Sequence, residues 1–269
     1  MSTLVTFHAH PDDEAIATGG SIARAAAEGH RVVLVVATHG EWGEMPEDLL
    51  PGESLVDRRQ AETARSAEIL GIQRVAWLGY EDSGMTGWDQ NANARSFHQA
   101  PVEEAAQRLA EILREEQPDL LTVYDWHGNY GHPDHVKVHH VGHRAAELAN
   151  VGRVVEATMN RDAIRRMVEQ ARAAGSAMPG DEGDFDPDGP ADDGNPMGTA
   201  EHEITLAVDV RDYTDRKRAA LLAHRSQVSD TSFFADMPDD MFRLAFGTEW
   251  FIEKGVEPGA GPRLGWLFE

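Results

Sequence analysis

The stretch Arg31–Thr38 reads RVVLVVAT, and it constrains the fold of this chain more than any other segment. An apolar, β-branched run of that length has no polar face to give to water. It must be covered on both sides, as strands of a buried parallel sheet are. Its surroundings repeat the theme. Residues 3–8 (TLVTFH) form a short apolar run ending in a loop, and 18–29 show helical spacing. Residues 56–70 are helical up to Gly71, a good C-terminal cap, and 73–79 read as a strand. An amphipathic helix is expected over 101–116, then a strand at 119–124, a helix at 135–149 and a strand at 153–158. Strands alternating with helices of this length build βαβ units. The expected fold class is α/β: a Rossmann-like, doubly wound, mainly parallel sheet flanked by helices. The first strand–helix turn lacks a GxGxxG loop, so a dinucleotide site is not expected.

Beyond residue 160 the alternation weakens. Residues 180–197 carry seven acids among Gly and Pro, which reads as a solvated loop. Their spacing does not match an EF-hand calcium loop. A strand is expected at 203–210 and a helix at 213–225, with a tail that returns to the core. This divides the chain into a catalytic core at 1–160 and a small C-terminal α/β extension at 161–269, packed on the core and carrying the acidic loop.

The chain holds 41% apolar residues, enough for a substantial core, and no cysteine. Disulfides, thiolate metal sites and cysteine nucleophiles are therefore excluded. The N-terminus lacks a basic segment followed by a long apolar one, and no stretch approaches ~20 uninterrupted apolar residues. A cytoplasmic protein without a signal peptide or membrane span is the expectation. A formal net charge of −23 should repel nucleic acid and anionic membranes, so neither is an expected partner.

Two segments concentrate chemistry. His8-Ala9-His10-Pro11-Asp12-Asp13-Glu14 follows the first strand, and His127 to His135 (HGNYGHPDH) follows the strand at 119–124. Both fall at carboxyl ends of expected parallel strands, the edge where open α/β sheets bind ligands. Five histidines and several carboxylates on two such loops suit a divalent metal, since imidazole nitrogen and carboxylate oxygen both ligate zinc. One of the adjacent acids Asp12 and Asp13 can then ligate while the other serves as base, because neighbouring loop residues point in different directions.

The paired HAHPDDE and GHPDH motifs resemble the PIG-L/LmbE family of de-N-acetylases, to which mycothiol-pathway deacetylases belong. The resemblance is strong over residues 3–150 and loose beyond. It implies His10, Asp13 and His135 as zinc ligands and Asp12 as general base. It implies His132 as general acid or stabiliser of the tetrahedral intermediate, and Tyr130 as a contact to the oxyanion. Asp134 would orient His132 by hydrogen bonding. Softer matches are the arginine of an RxxE helix start, here Arg59, and the LGYxDSGM loop, here LGYEDSGM with Asp82 and with Glu81 in place of arginine. These make Arg59 and Asp82 substrate contacts, and His98 joins them on a loop that could line the cleft. His224, in an AHxxQ segment, is read as structural.

The function so implied is removal of an N-acetyl group from an N-acetylglucosamine-type small molecule, thiol glycosides included, by zinc-activated water. Iron(II) could fill the same ligand set, since two histidines and a carboxylate also make a facial triad. The alternative is an S-conjugate amidase in detoxification. Such amidases carry a lysine soon after HPDDE, where this chain has Ala15-Ile16-Ala17-Thr18. Family members often associate, so a homo-oligomer is among the expectations. His139 and His143 share a helix face by i, i+4 spacing. A second metal site there is conceivable, although helix packing or surface exposure is the simpler reading. Specificity should lie in the loops at 41–56, 83–100 and 180–200.

Overall fold

The computed structural model describes residues 1–173, 185–227, 237–259 and 261–269. Five parallel strands form the body of the sheet: β1 (Thr3–His8), β2 (Arg31–Thr38), β3 (Arg74–Tyr80), β4 (Leu120–Tyr124) and β5 (Val154–Thr158). Two short strands complete it, β6 (Leu206–Asp209) and β7 (Thr248–Glu253). The order across the seven-stranded sheet is β3-β2-β1-β4-β5-β7-β6, with β7 antiparallel to both of its neighbours. The α/β class and the mainly parallel, doubly wound sheet are as expected. From Val32 to Thr38, β2 is fully buried, and so is all of β4, as their continuous apolar runs demand.

The helices form two layers. On one side α2 (Gly19–Ala27), α3 (Leu55–Leu70) and α8 (Thr214–Leu221) pack together; on the other, α4 (Val102–Glu116) packs along α6 (Pro133–Ala149). Helix α3 begins in a capping box between Ser54 and Asp57 and ends at Gly71 in the left-handed region (φ 82°). Helix α4 buries Ala105, Ala106, Leu109, Ala110 and Leu113, one stripe at helical spacing.

Two elements differ from expectation. Helix α7 (Arg161–Ala173) is amphipathic but buries only Val168, so its sequence carries little apolar signal. The tail returns as a strand, β7, inserted between β5 and β6. Its Glu249 explains how a charged strand is held there. The carboxylate takes Gly20 N–H and Ser21 N–H at the start of α2, both at 2.8 Å, and Lys217 Nζ of α8 at 2.6 Å. A carboxylate on a helix N-terminus and beside an ammonium has its charge answered on both sides. Of the acidic segment 180–197, residues 180–184 lie outside the described residues. The remainder is turns, with a bridge between Pro190 and Pro196.

Candidate active site

Strands β1 and β4 lie side by side at the centre of the sheet. The order runs β1-β2-β3 to one side of them and β4-β5 to the other, so the crevice at their carboxyl ends is the topological switch point. Both chemistry-bearing loops emerge there. The first turns from β1 through His10-Pro11-Asp12 into the short helix α1 (Asp13–Ala17). The second turns from β4 through the single helical turn α5 (Gly128–Gly131) to His132, the residue before α6. Pro133 opens α6 at its first position, where its missing N–H costs nothing, and this places His135 in the first turn.

His10, Asp13 and His135 converge. Asp13 Oδ2 lies 3.4 Å from His10 Nδ1 and 3.4 Å from His135 Nε2. Burial works against its charge, but His135 and His10 together hold the Asp13 carboxyl well below the usual carboxylate range. Both ring nitrogens of His135 are buried without a hydrogen-bond partner. A buried imidazole so placed beside a second histidine and an ionised carboxylate is the donor set of a divalent cation, and the three residues fit one. His132 is close enough to share the group, since one donor atom from each of His10, His132 and His135 lies within 4.8 Å of the others.

Behind His10 stand two more carboxylates. Its Nε2 is 3.3 Å from Asp134 Oδ2 and 3.4 Å from Asp82 Oδ1, so the face opposite Asp13 is fixed by acceptors. Asp134 is itself held by Ser83, whose N–H donates to Oδ2 at 2.9 Å and whose hydroxyl donates to Oδ1. The bond to His132 comes from the Asp134 backbone N–H, which donates to Nδ1 at 3.1 Å, while its carboxylate serves His10. That bond makes Nδ1 an acceptor and leaves the proton of neutral His132 on Nε2. Burial, His10 and His135 all push the His132 imidazole toward its neutral form.

Asp12 has a different partner. Its Oδ2 accepts from Arg59 Nη2 at 3.1 Å, and the same guanidinium donates to Pro11 O at 2.5 Å and Gly40 O at 2.8 Å. Arg59 is 4% exposed, so it braces the Asp12 turn from within. Burial pushes the Asp12 carboxyl up to about 6 against the pull of Arg59. Asp12 also has φ 102° and ψ −30°, a conformation that an L-residue adopts only under constraint. Tyr130 is half-buried, its ring 5.0 Å from His135 and 6.2 Å from His132. Beyond it a cavity of about 570 Å³ opens toward Phe185, Asp192 and Met197.

Arg59 and Asp82 thus lie within the cluster's supporting frame, on Asp12 and His10 respectively. His98 does not join the cluster: its side chain is exposed, and only its N–H reaches in, to Ser83 Oγ at 3.0 Å. Three supporting residues escaped the sequence reading. Glu14 is fully buried; it accepts from Ser66 Oγ at 2.5 Å and from Asp12 N–H at 3.1 Å, and pairs with His224 Nε2 at 2.8 Å. Its place inside the first motif was a signal, as was that of Ser83 beside Asp82. Tyr124 ends a strand that reads as pure core, yet its hydroxyl lies 2.7 Å from His8 Nδ1 and against Asp13.

This pairing of fold and site defines a hydrolytic enzyme with a candidate divalent-metal centre. Residues 5–146 match the PIG-L, GlcNAc-PI de-N-acetylase family, and the chain belongs to that family. It is 38% identical, over 94% of its length and 88% of the relative's, to a 1D-myo-inositol 2-acetamido-2-deoxy-alpha-D-glucopyranoside deacetylase of Acidothermus cellulolyticus. An enzyme of the same description from Nocardiopsis dassonvillei is 39% identical over 96% of this chain and 94% of its own. Among solved structures the fold is similar to N,N'-diacetylchitobiose deacetylase from Pyrococcus horikoshii (TM-score 0.58, 22% identity, 96% and 88% of the two chains). It is equally similar to GalB, a 4-carboxy-2-hydroxymuconate hydratase from Pseudomonas putida (TM-score 0.59, 18% identity, 97% and 100%). No helix among the described residues is long and apolar enough to cross a membrane.

Proposed function

We propose that this hydrolase removes the N-acetyl group from an N-acetylglucosaminyl glycoside of the inositol type, the substrate named for its relatives in Acidothermus and Nocardiopsis. One observation carries the reading. Asp12 and Asp13 are adjacent yet divided, Asp13 facing His10 and His135 and Asp12 facing Arg59. Amide hydrolysis at a metal needs that division, one carboxylate to ligate and one left to move protons.

His10, Asp13 and His135 would hold the ion, and zinc is the expected occupant, with iron(II) as the alternative. Such an ion supplies Lewis acidity to the acetyl carbonyl and makes a water acidic enough to attack near neutral pH. Asp12 accepts the proton of the attacking water. His132, neutral with its proton on Nε2, donates a hydrogen bond to the oxygen that gains charge, and the Tyr130 hydroxyl is a second donor. The proton on Asp12 passes to the nitrogen as the C–N bond breaks, giving acetate and a free amine. Asp134 and Asp82 keep His10 in one orientation, and Ser83 keeps Asp134.

The test is amine release from N-acetylglucosaminyl-inositol by metal-loaded protein, beside a simple N-acetylglucosamine glycoside and an S-conjugated thiol glycoside. Release from the first, lost in Asp12→Ala, is expected. Turnover confined to the S-conjugate would replace the deacetylase reading with an amidase. No release from any of the three would overturn both.

A further inference from the structure

Helix α6 does not end its work at His135. His135, His139 and His143 follow at i, i+4 and i+8 and so form one stripe along the helix. The stripe runs from the active site toward β5, where Glu156 projects. His143 Nε2 lies 2.7 Å from Glu156 Oε1, and His139 Nδ1 lies 3.8 Å from the same oxygen. The rings of His139 and His143 are 4.5 Å apart. One donor atom from each of the three residues lies within 4.8 Å of the other two.

We propose that His139, His143 and Glu156 form a second divalent-metal site, which takes a borderline dication such as zinc or cobalt(II) and pins α6 to β5. Two imidazoles and one carboxylate are a donor set found in three-ligand zinc centres. His139 Nδ1 donates to the carbonyl oxygen of Tyr124 at 3.0 Å. That bond fixes the ring and leaves Nε2 unprotonated as the nitrogen free to ligate, while Nδ1 is the atom 3.8 Å from Glu156. A plain ion pair between His143 and Glu156 accounts for less. It gives the nearby His139 ring no bond to the pair. The three side chains keep 18%, 14% and 14% of their exposure, which gives water ligands and the ion a way in. The site is separate from the first: His139 stands four residues beyond His135, about 6 Å along the helix, and Glu156 comes from another strand. A chain of net charge −23 also favours cation capture.

Metal-free protein titrated with cobalt(II), followed by visible absorption and by equilibrium dialysis, tests this. Wild type is expected to take two ions per chain. Glu156→Gln and His143→Ala should each take one, with affinity for the second weakened at least tenfold. Asp13→Asn should also take one, held now at the outer site, and Asp13→Asn/Glu156→Gln none. Glutamine preserves the size of Glu156 and a hydrogen bond to His143, so Glu156→Gln reads binding in a folded protein, with far-ultraviolet circular dichroism as the check. A wild type that takes one ion, or a Glu156→Gln variant that takes as many as wild type, overturns the proposal.

Discussion

Asp12 holds its backbone at φ 102° and ψ −30° because its surroundings leave it no other choice. Its carbonyl accepts from Ala15 N–H at 2.9 Å and Ile16 N–H at 3.2 Å, its N–H donates to Glu14 at 3.1 Å, and Arg59 grips the preceding carbonyl. A non-glycine residue in such a region costs about 1–3 kcal/mol. Glycine escapes that cost but makes the unfolded chain freer, which takes back about 0.4–1 kcal/mol. Asp12→Gly should therefore be more stable than Asp12→Ala by about 0.6–2 kcal/mol, the difference of the two low ends and of the two high ends of those ranges. Both variants lose the carboxylate and its bond to Arg59, so comparing them isolates the backbone. Both should be inactive. The measurement is urea unfolding of chelator-treated protein, followed by tryptophan fluorescence, with about 2–4 °C of melting temperature per kcal/mol as a second readout. If Asp12→Ala proves as stable as Asp12→Gly, no strain is stored at this residue and the turn is relaxed.

Other consequences are as direct. His132→Ala should lower kcat by about 10²–10³ with KM little changed, and His132→Gln, which can still present an N–H, should recover part of it in the same steady-state assay. Arg59→Lys keeps the charge but a single ammonium cannot span the acceptors that two guanidinium nitrogens reach, so denaturant unfolding should show a loss of about 3–6 kcal/mol for two charge-assisted bonds, together with a fall in kcat. Chelation should abolish activity, and added zinc should restore it; Asp13→Asn and His135→Ala should need far more metal for whatever activity remains. Glu116 accepts from Arg31 Nε at 2.7 Å and Arg74 Nη1 at 2.6 Å, bonds that hold its carboxyl below the usual range. That stabilisation exists above the unfolded carboxylate pKa and is lost as pH falls through the lower folded one. Glu116→Gln should cost about 0.5–1 kcal/mol at pH 7, given partners about a third exposed, and the gap to wild type should close in acid unfolding curves below about pH 4.

What could be read from sequence follows how local each signal was. The apolar run of β2 and the capped repeat of α3 carry their own evidence, so both elements were legible to within a residue or two. The adjacency of β1 and β4 was legible in part, since two loops at strand ends imply a shared crevice but not which strands flank it. Strand β7 was not legible. Glu249 within it looks like a surface acid until Lys217 and the α2 N-terminus, more than two hundred residues away from the latter, come together on it. The same holds inside the site. Asp134 was seen to support a histidine, but which one depends on Ser83 and on the approach of His10 from another loop. Arg59 read as a substrate contact because its position on a helix start is visible in sequence and its burial is not.

The separation of frame from chemistry explains why this fold can host unrelated reactions, a hydratase among its likenesses. The sheet supplies only a crevice at β1 and β4. The reaction is set by how neighbouring side chains are turned, and here each turn has an identifiable cause. Pro133 starts α6 early enough to put His135 beside Asp13, and the Asp134 N–H on Nδ1 leaves His132 with its Nε2 proton. Arg59 and Glu14 together hold Asp12 in a conformation that sets its carboxylate on the Arg59 guanidinium. Were Asp12 relaxed into ordinary helical geometry, it would start α1 one residue earlier, and the bonds that set its carboxylate on Arg59 and its N–H on Glu14 would have to be remade. The constraint on one residue's backbone therefore accompanies a difference in partners, Arg59 for Asp12 and the two histidines for Asp13.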